Sequence, residues 1–125
     1  MIFNANRMRL PRAQRCSIYL RYAIHAIMLA TYFEWHVKAG REAEFERLWS
    51  AGTEALRHEG SLGSALFKSG DGRYHAFARW PDRATRDAAV AKRIRLGLFA
   101  PFQECIESVV TQRDMDLIDD QWLAA

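Results

Sequence analysis

The chain of 125 residues has only two cysteines and three prolines, and it lacks a run of about eighteen apolar residues. Cys16 and Cys105 lack metal-site spacing and are too few for a disulfide framework, so two reduced thiols in a cytoplasmic protein are expected. Without a long apolar run we expect no transmembrane helix, and we predict no membrane partner. Half of the residues are apolar, which is enough for the core of one domain.

Acidic residues are absent from the first 28 positions, which hold five arginines: Arg7, Arg9, Arg12, Arg15 and Arg21. The formal net charge of +3 therefore comes from this segment, because the remaining residues carry 13 basic and 15 acidic side chains. A nucleic-acid surface requires basic residues on the folded domain, so nucleic-acid binding is not predicted. We divide the chain into a basic N-terminal extension, residues 1–28, and a domain, residues 29–125.

The basic extension has three interpretations. Its apolar stretch resembles a signal peptide, but Arg21 and His25 interrupt it where a signal sequence carries no charge. A transit-like or membrane-touching helix is the second interpretation, because the segment is rich in arginine and free of acids. We favour the third, in which Met28 is the true start and the extension arises from upstream read-through, since the first predicted strand begins directly after Met28.

Hydrophobic patterning in the domain predicts the element order β-α-β-β-α-β. Aromatic and β-branched residues alternate with polar ones at 29–37, which predicts a strand with two distinct faces. Apolar residues recur at steps of three and four from 41 to 59, which predicts an amphipathic helix with acids in its first turns. Gly60 is a suitable residue to end this helix.

A hairpin and a second helix follow. The elements predicted after the first helix are a strand at 62–69, a turn at 70–72, a strand at 73–80, a helix from 82 to about 95, a short helix from 100 and a strand at 108–117. The glycine-aspartate-glycine turn is the strongest hairpin signal in the chain. Asp82 is a natural N-cap for the second helix, and Pro101 suits the first position of the short one.

This order predicts a ferredoxin-like α+β fold, in which two β-α-β units form a four-stranded antiparallel sheet with the helices on one face. Aromatic residues occupy both alternating sets of strand positions: Tyr32 alternates with Phe33 in the first strand, and Tyr74 and Trp80 alternate with Phe77 in the third. Both faces of such a sheet require cover, and a second copy of the chain is the economical one. We therefore predict a homodimer.

Two motifs flank the predicted helices: V-K-A-G-R-E-A-E-F at 37–45 and A-R-W-P-D-R-A-T at 78–85. Together with Trp49 and the glycines before the second strand, they resemble the antibiotic biosynthesis monooxygenase family of dimeric α/β barrels. The resemblance implies a dimeric α/β barrel with a pocket between the helices and the sheet of each subunit. That family includes small cofactor-free oxygenases of polycyclic aromatic quinols, haem-degrading enzymes and many proteins of unproven activity.

Cofactor-free oxidation of an activated aromatic ring requires an apolar cavity, aromatic walls and one or two polar groups that assist deprotonation of a phenol. The candidate walls are Trp35, Trp49, Tyr74 and Trp80, the candidate catalytic groups are His36 and His75, and Arg79 is the candidate grip for an anionic substrate. Against these roles, regularly spaced tryptophans are usually core and strand histidines are usually exposed or already hydrogen-bonded. Arg79 also suits a simple strand-edge charge.

The sequence thus predicts a cofactor-independent monooxygenase that acts on a small aromatic or quinol-type substrate, with no cofactor and no metal. One alternative is a non-catalytic or stress-associated dimeric module that holds a small apolar ligand. Another is a structural dimer whose pocket is filled by its own side chains. A haem-degrading oxygenase is the last alternative; residues 82–107 lack the histidine, and the first strand the asparagine, that resemblance to those enzymes implies.

No GxSxG elbow, P-loop or HExxH motif occurs in the chain. Four aspartates cluster near the C-terminus: Asp114, Asp116, Asp119 and Asp120. They lack the glycine and the final glutamate of a calcium loop, so a solvated acidic strand end is expected there.

Overall fold

The elements follow the predicted order in the computed structural model, which describes residues 28–122. The strands are β1 (Leu29–Val37), β2 (Gly63–Lys68), β3 (Tyr74–Trp80) and β4 (Ile106–Asp116). The helices are α1 (Glu42–Arg57), α2 (Arg83–Arg95) and α3 (Ala100–Glu104). The predicted N-terminal extension lies outside the described residues except for Met28, so its three interpretations stay predictions.

The strands form one antiparallel sheet in the order β2-β3-β1-β4. β1 and β3 pair without a shift from Leu29 opposite Trp80 to Trp35 opposite Tyr74. The pairing of β1 with β4 contains two register shifts near Val37. β4 begins at Ile106, two residues earlier than predicted, because Ile106 already pairs with Val37. The predicted ferredoxin-like α+β fold is confirmed.

Side-chain alternation divides the sheet into two faces. The helix face carries Leu29, Thr31, Trp35 and Val37 of β1 with Tyr74, Ala76 and Trp80 of β3, all of them buried. The open face carries Tyr32, Glu34 and His36 of β1 with His75, Phe77 and Arg79 of β3. Trp35 meets Phe45 of α1 and Phe102 of α3 edge to face, and Thr31 contacts Arg86 of α2. All three helices therefore pack on the helix face.

The core beneath the helices consists of two separate clusters of buried residues. The first contains Trp35, Val37, Phe45, Tyr74, Ala76 and Cys105, and the second contains Leu29, Trp80 and Ala89. Phe45 is fully buried at the centre of the first cluster, with ring centroids 4.8 Å from Tyr74 and 5.5 Å from Trp35. Aromatic packing of this kind adds stability beyond the buried apolar area, so this cluster fixes α1 against the sheet.

Arg86 joins α2 to two strands of the sheet. Its guanidinium donates to both carboxylate oxygens of Asp114 at 2.7 and 2.8 Å and to Thr31 Oγ1 at 2.9 Å. These hydrogen bonds from Arg86 hold the pKa of Asp114 at about 2, below its ordinary value of 3.8. Asp114 stays exposed, as expected for a solvated acidic strand end, but its carboxylate is paired with a cation from the helix above.

Gly60 brings the turn after α1 against the start of α2. Its φ of +106° lies in the left-handed region, and a Cβ added there would stand 2.5 Å from Thr85 Cγ2. Thr85 lies in the first turn of α2, where its backbone N–H donates to Asp82 Oδ1 at 2.7 Å. Asp82 is thus the N-cap that the sequence predicts. Only glycine fits the close approach at position 60.

Replacing Asp114 with asparagine should lower the free energy of unfolding by about 1 kcal/mol near neutral pH, because Arg86 loses one of its two charged partners at a site exposed to solvent. A carboxylate whose pKa is depressed on folding stabilises the protein above its unfolded pKa. That contribution disappears as the pH falls from about 4 to about 2. The wild-type protein should therefore lose more stability over this interval than the variant does, in urea denaturation followed by circular dichroism.

Asp116→Asn is the matched control, on the same strand. The Asp116 side chain is 74% exposed and lies 3.6 Å from Arg83, so its loss should cost less than about 0.5 kcal/mol. Equal losses for the two variants would contradict the role assigned to Asp114.

Replacing Gly60 with alanine should cost about 2 to 3 kcal/mol, since a left-handed backbone penalty adds to a clash with Thr85. Gly40→Ala is the control, because Gly40 has a φ of +83° but nothing within 4 Å of the added Cβ. It should cost only about 1 kcal/mol. Thermal unfolding compares the two variants, and a Gly60→Ala protein as stable as Gly40→Ala would rule out the close approach.

Candidate functional site

The four predicted aromatic walls all belong to the helix side of the sheet. Trp35, Tyr74 and Trp80 are only 5%, 2% and 2% exposed, so their rings are part of the packed core. Trp49 of α1 is half-buried and packs against the first core cluster. The wall candidates therefore share one side of the sheet, and Trp49 is the one that retains exposed ring surface.

Apolar surface that is incompletely covered borders both core clusters. The half-buried residues against the first cluster are Phe33, Leu48, Trp49, Leu66, Phe102 and Ile106, and those against the second are Leu56 and Ala78. Phe33 stacks on Trp35 with ring centroids 5.0 Å apart and planes inclined by 7°. A flat aromatic ligand is the kind of molecule that such surface favours.

Tyr74 supplies a polar group at the edge of this surface. Its hydroxyl donates to Glu46 Oε2 at 2.6 Å, and the Lys68 ammonium lies 5.2 Å from the centre of its ring. Burial first, and then the hydrogen bond to the Glu46 carboxylate, raise the pKa of Tyr74 to about 12. Tyr74 is therefore protonated at neutral pH and acts as a hydrogen-bond donor rather than as a base.

His75 lies on the open face, in a chain of hydrogen bonds. Its Nδ1 is 2.7 Å from the hydroxyl of Tyr32, and its Nε2 is 2.9 Å from Ser69 Oγ. Ser69 in turn donates to the Asp71 carboxylate. On the other side, Glu34 Oε1 is 3.8 Å from His75 Nδ1. Both ring nitrogens of His75 therefore have hydrogen-bond partners: the Tyr32 hydroxyl at Nδ1 and the Ser69 hydroxyl at Nε2.

His36 shares the open face with His75, because Glu34 is opposite His75 and His36 is two residues further along β1. Its Nδ1 is 3.6 Å from Glu107, and both side chains are more than half exposed. His36 also borders a cleft of about 430 Å³ at the strand ends, together with Glu42 and Lys68. Its surroundings are thus polar and open to solvent.

Arg79 also lies on the open face, on the side of β3 opposite to Trp80. Its guanidinium donates to Asp120 Oδ2 at 2.6 Å and contacts Met28 Sδ at 3.2 Å. The backbone N–H of Leu117 donates to the carbonyl of Met28 at 3.1 Å. In the structure Arg79 therefore anchors the segment after β4 beside the start of β1.

The predicted site residues are consequently divided between two sides of one sheet. The aromatic walls lie on the helix side, whereas His36, His75 and Arg79 lie on the open face. One small ring cannot contact both sets within a single subunit. Sequence reasoning also did not select the Tyr32–Ser69 chain around His75 or the Arg86–Asp114 pair. The sequence shows charged residues near the strand ends, but it does not reveal their partners, because these are distant along the chain.

The part of the chain that the structure describes contains no group of three or more histidine, cysteine, aspartate or glutamate side chains that could hold a metal ion. Within the same residues, 28–122, no helix is long and apolar enough to cross a membrane.

Solved structures with the same fold come from several bacteria. NE2512 of Nitrosomonas europaea, a protein of unknown function, is 22% identical, with a TM-score of 0.64 over 81% of this chain and 99% of its own. Rv0793 of Mycobacterium tuberculosis is 20% identical, with a TM-score of 0.64 over 76% and 99%. A variant of SnoaB of Streptomyces nogalater, a cofactor-independent oxygenase, is 19% identical, with a TM-score of 0.59 over 78% and 97%. These identities show a shared fold.

Comparison at the level of sequence identifies the family of this chain. No protein of curated function matches it. The sequence model of the antibiotic biosynthesis monooxygenase family, in contrast, matches residues 28–93, which run from the start of β1 into α2. Because this match spans more than half of the chain and the fold agrees with it, the chain belongs to the antibiotic biosynthesis monooxygenase family.

Proposed function

We propose that this protein is a cofactor-independent monooxygenase that acts on a small aromatic or quinol-type substrate bound between the helices and the sheet. The observation that carries the proposal is membership of the antibiotic biosynthesis monooxygenase family. SnoaB, which has the same fold, is a cofactor-independent oxygenase. At 19% identity this likeness concerns the fold, so the physical fit of the helix side must support the chemistry.

The chemistry asks little of the protein. A quinol that loses a hydroxyl proton becomes electron-rich enough to react with dioxygen, so the site must hold the ring, exclude water and assist the proton transfer. The half-buried side chains of Phe33, Trp49 and Leu66 offer apolar surface for the ring. Trp35 and Trp80 are buried beneath this surface, each in its own core cluster. This apolar surface supports the first requirement, that the site hold the ring.

Two polar groups on the helix side would face a substrate there. Tyr74 presents a hydroxyl held by Glu46, and Arg86 presents a guanidinium above Thr31. Arg86 is already paired with Asp114 and Asp87, so it would orient a quinol hydroxyl by hydrogen bonding rather than by net positive charge. In this proposal His36, His75 and Arg79 do not touch the ring.

A second function has an observation in its favour. The histidines lie on the face opposite to the aromatic walls, as a module that binds a small apolar ligand without catalysis would allow. Three alanine substitutions test whether the open-face residues take part in catalysis: His36→Ala, His75→Ala and Arg79→Ala. If a quinol reacts on the helix side, these variants keep kcat within about threefold of the wild-type value, whereas a true catalytic base costs roughly 100-fold or more.

The open face supports the proposal of a homodimer. Phe67 and Phe77 remain 47% and 41% exposed there, although both lie in paired strands. Exposed aromatic surface of this kind favours a protein interface. A second copy would cover it with the same residues through a two-fold axis, and a stable interface requires about 800 Å² from each subunit.

Oxygen uptake with a panel of hydroquinones and anthrones tests the proposed function. Trp49→Leu should raise KM roughly three- to tenfold, because the ring loses an aromatic contact worth about 0.5 to 1.5 kcal/mol. Trp122→Leu is the control, since Trp122 is 79% exposed on the segment after β4, and it should leave KM unchanged. Oxygen uptake no faster than the uncatalysed rate with every compound would exclude a monooxygenase of these substrates.

Phe77→Asp should convert the dimer into monomers, because it places a charge in the centre of the proposed interface. Light scattering at micromolar concentration measures the change. Leu98→Asp has a comparable exposure, 48%, but lies between α2 and α3, so this control should remain dimeric. A wild-type protein that elutes as a monomer, or a Phe77→Asp dimer, would refute the interface.

A further inference from the structure

The hydrogen bonds around Tyr32 and His75 have a defined direction. A carboxylate only accepts, so the Ser69 hydroxyl donates to Asp71 and must accept from the N–H of His75 Nε2. A neutral imidazole carries one ring proton, and Nδ1 is then an acceptor. The Tyr32 hydroxyl, 2.7 Å away, therefore donates to His75 Nδ1.

Carboxylates flank the imidazole of His75 on two sides. Glu34 Oε1 is 3.8 Å from Nδ1, and Asp71 is linked to the other ring nitrogen through Ser69. Arg73 pairs with Glu34 at 2.8 Å and approaches Asp71 at 4.0 Å. Two carboxylates and one guanidinium leave one formal negative charge beside the ring.

Tyr32 itself stays protonated at neutral pH. Burial, and then the negative charge of Glu34, raise the pKa of Tyr32 above its ordinary value. An electron removed from this phenol would leave a radical cation of high energy unless a base accepts the proton at the same time. His75 Nδ1 is such a base, and Ser69 and Asp71 keep it in the accepting tautomer.

We propose that Tyr32 is a redox-active tyrosine that reduces one-electron oxidants of the phenoxyl class. As one electron leaves Tyr32, its O–H bond breaks and an N–H bond forms at His75 Nδ1, which yields a neutral tyrosyl radical and an imidazolium. The phenoxyl radical takes the electron and a proton from solvent and becomes the phenol. The activity resides on the open face and does not depend on the helix-side pocket.

Tyr74 provides an internal comparison. Its hydroxyl also has a short hydrogen bond, but the acceptor is the Glu46 carboxylate, a weaker base than imidazole. Electrons pass through protein without direct contact, so cover of the open face by a second copy leaves Tyr32 accessible to oxidation.

Freeze-quench electron paramagnetic resonance of the full chain mixed with hexachloroiridate(IV), a mild one-electron oxidant, tests the proposal. The wild-type protein should give a tyrosyl radical, assigned by line narrowing when its tyrosines are ring-deuterated. Tyr32→Phe should lower the yield roughly tenfold or more, and Tyr74→Phe should leave it unchanged. No tyrosyl signal in the wild type, or a signal that survives Tyr32→Phe, would overturn the assignment.

The role of His75 has its own readouts. His75→Ala should lower the yield as Tyr32→Phe does, and added imidazole should restore it, which a purely structural role for His75 would not produce. Ser69→Ala keeps the Tyr32–His75 pair but removes the partner that fixes the ring proton of His75 at Nε2. It should therefore lower the radical yield, while circular dichroism shows an unchanged fold. Wild-type yields in both variants would show that the proton does not go to His75.

Discussion

The register between β1 and β3 is the constraint on which the rest of the structure depends. It places Leu29 opposite Trp80 and Trp35 opposite Tyr74, and these four large side chains are buried beneath the helices. A slip of one residue would exchange the two faces of β1. Glu34 and His36 would then lie under the helices without partners, so the burial of the aromatic set specifies the register.

The same register decides what each face can do chemically. On the helix side it produces an aromatic floor with half-buried Trp49 and Phe33 at its border, which suits a flat apolar ligand. On the open face it brings Tyr32, Glu34 and His75 together. Titratable chemistry and aromatic packing are therefore separated by the sheet.

Local sequence patterns predicted much of this fold. Alternation at 29–37 matched β1 from end to end, and the capping role of Asp82 followed from its place before a helix. The pairs that connect distant segments did not follow, because they depend on register and rotamer. Thr31 and Asp114 are 83 positions apart, and Tyr32 and His75 are 43 apart. For that reason the pairing of Asp114 with Arg86 was not predicted, and the histidines were assigned to the aromatic pocket without knowledge of their face.

Family membership and the helix-side surface together support a small oxygenase that works without a cofactor. The most direct measurement is the mass of the product formed from a hydroquinone or anthrone under isotopically labelled dioxygen, with purified protein and no added cofactor. The account predicts a product that carries one labelled oxygen atom and forms more slowly with Trp49→Leu at limiting substrate. A product without label, or none above the uncatalysed background, would contradict it.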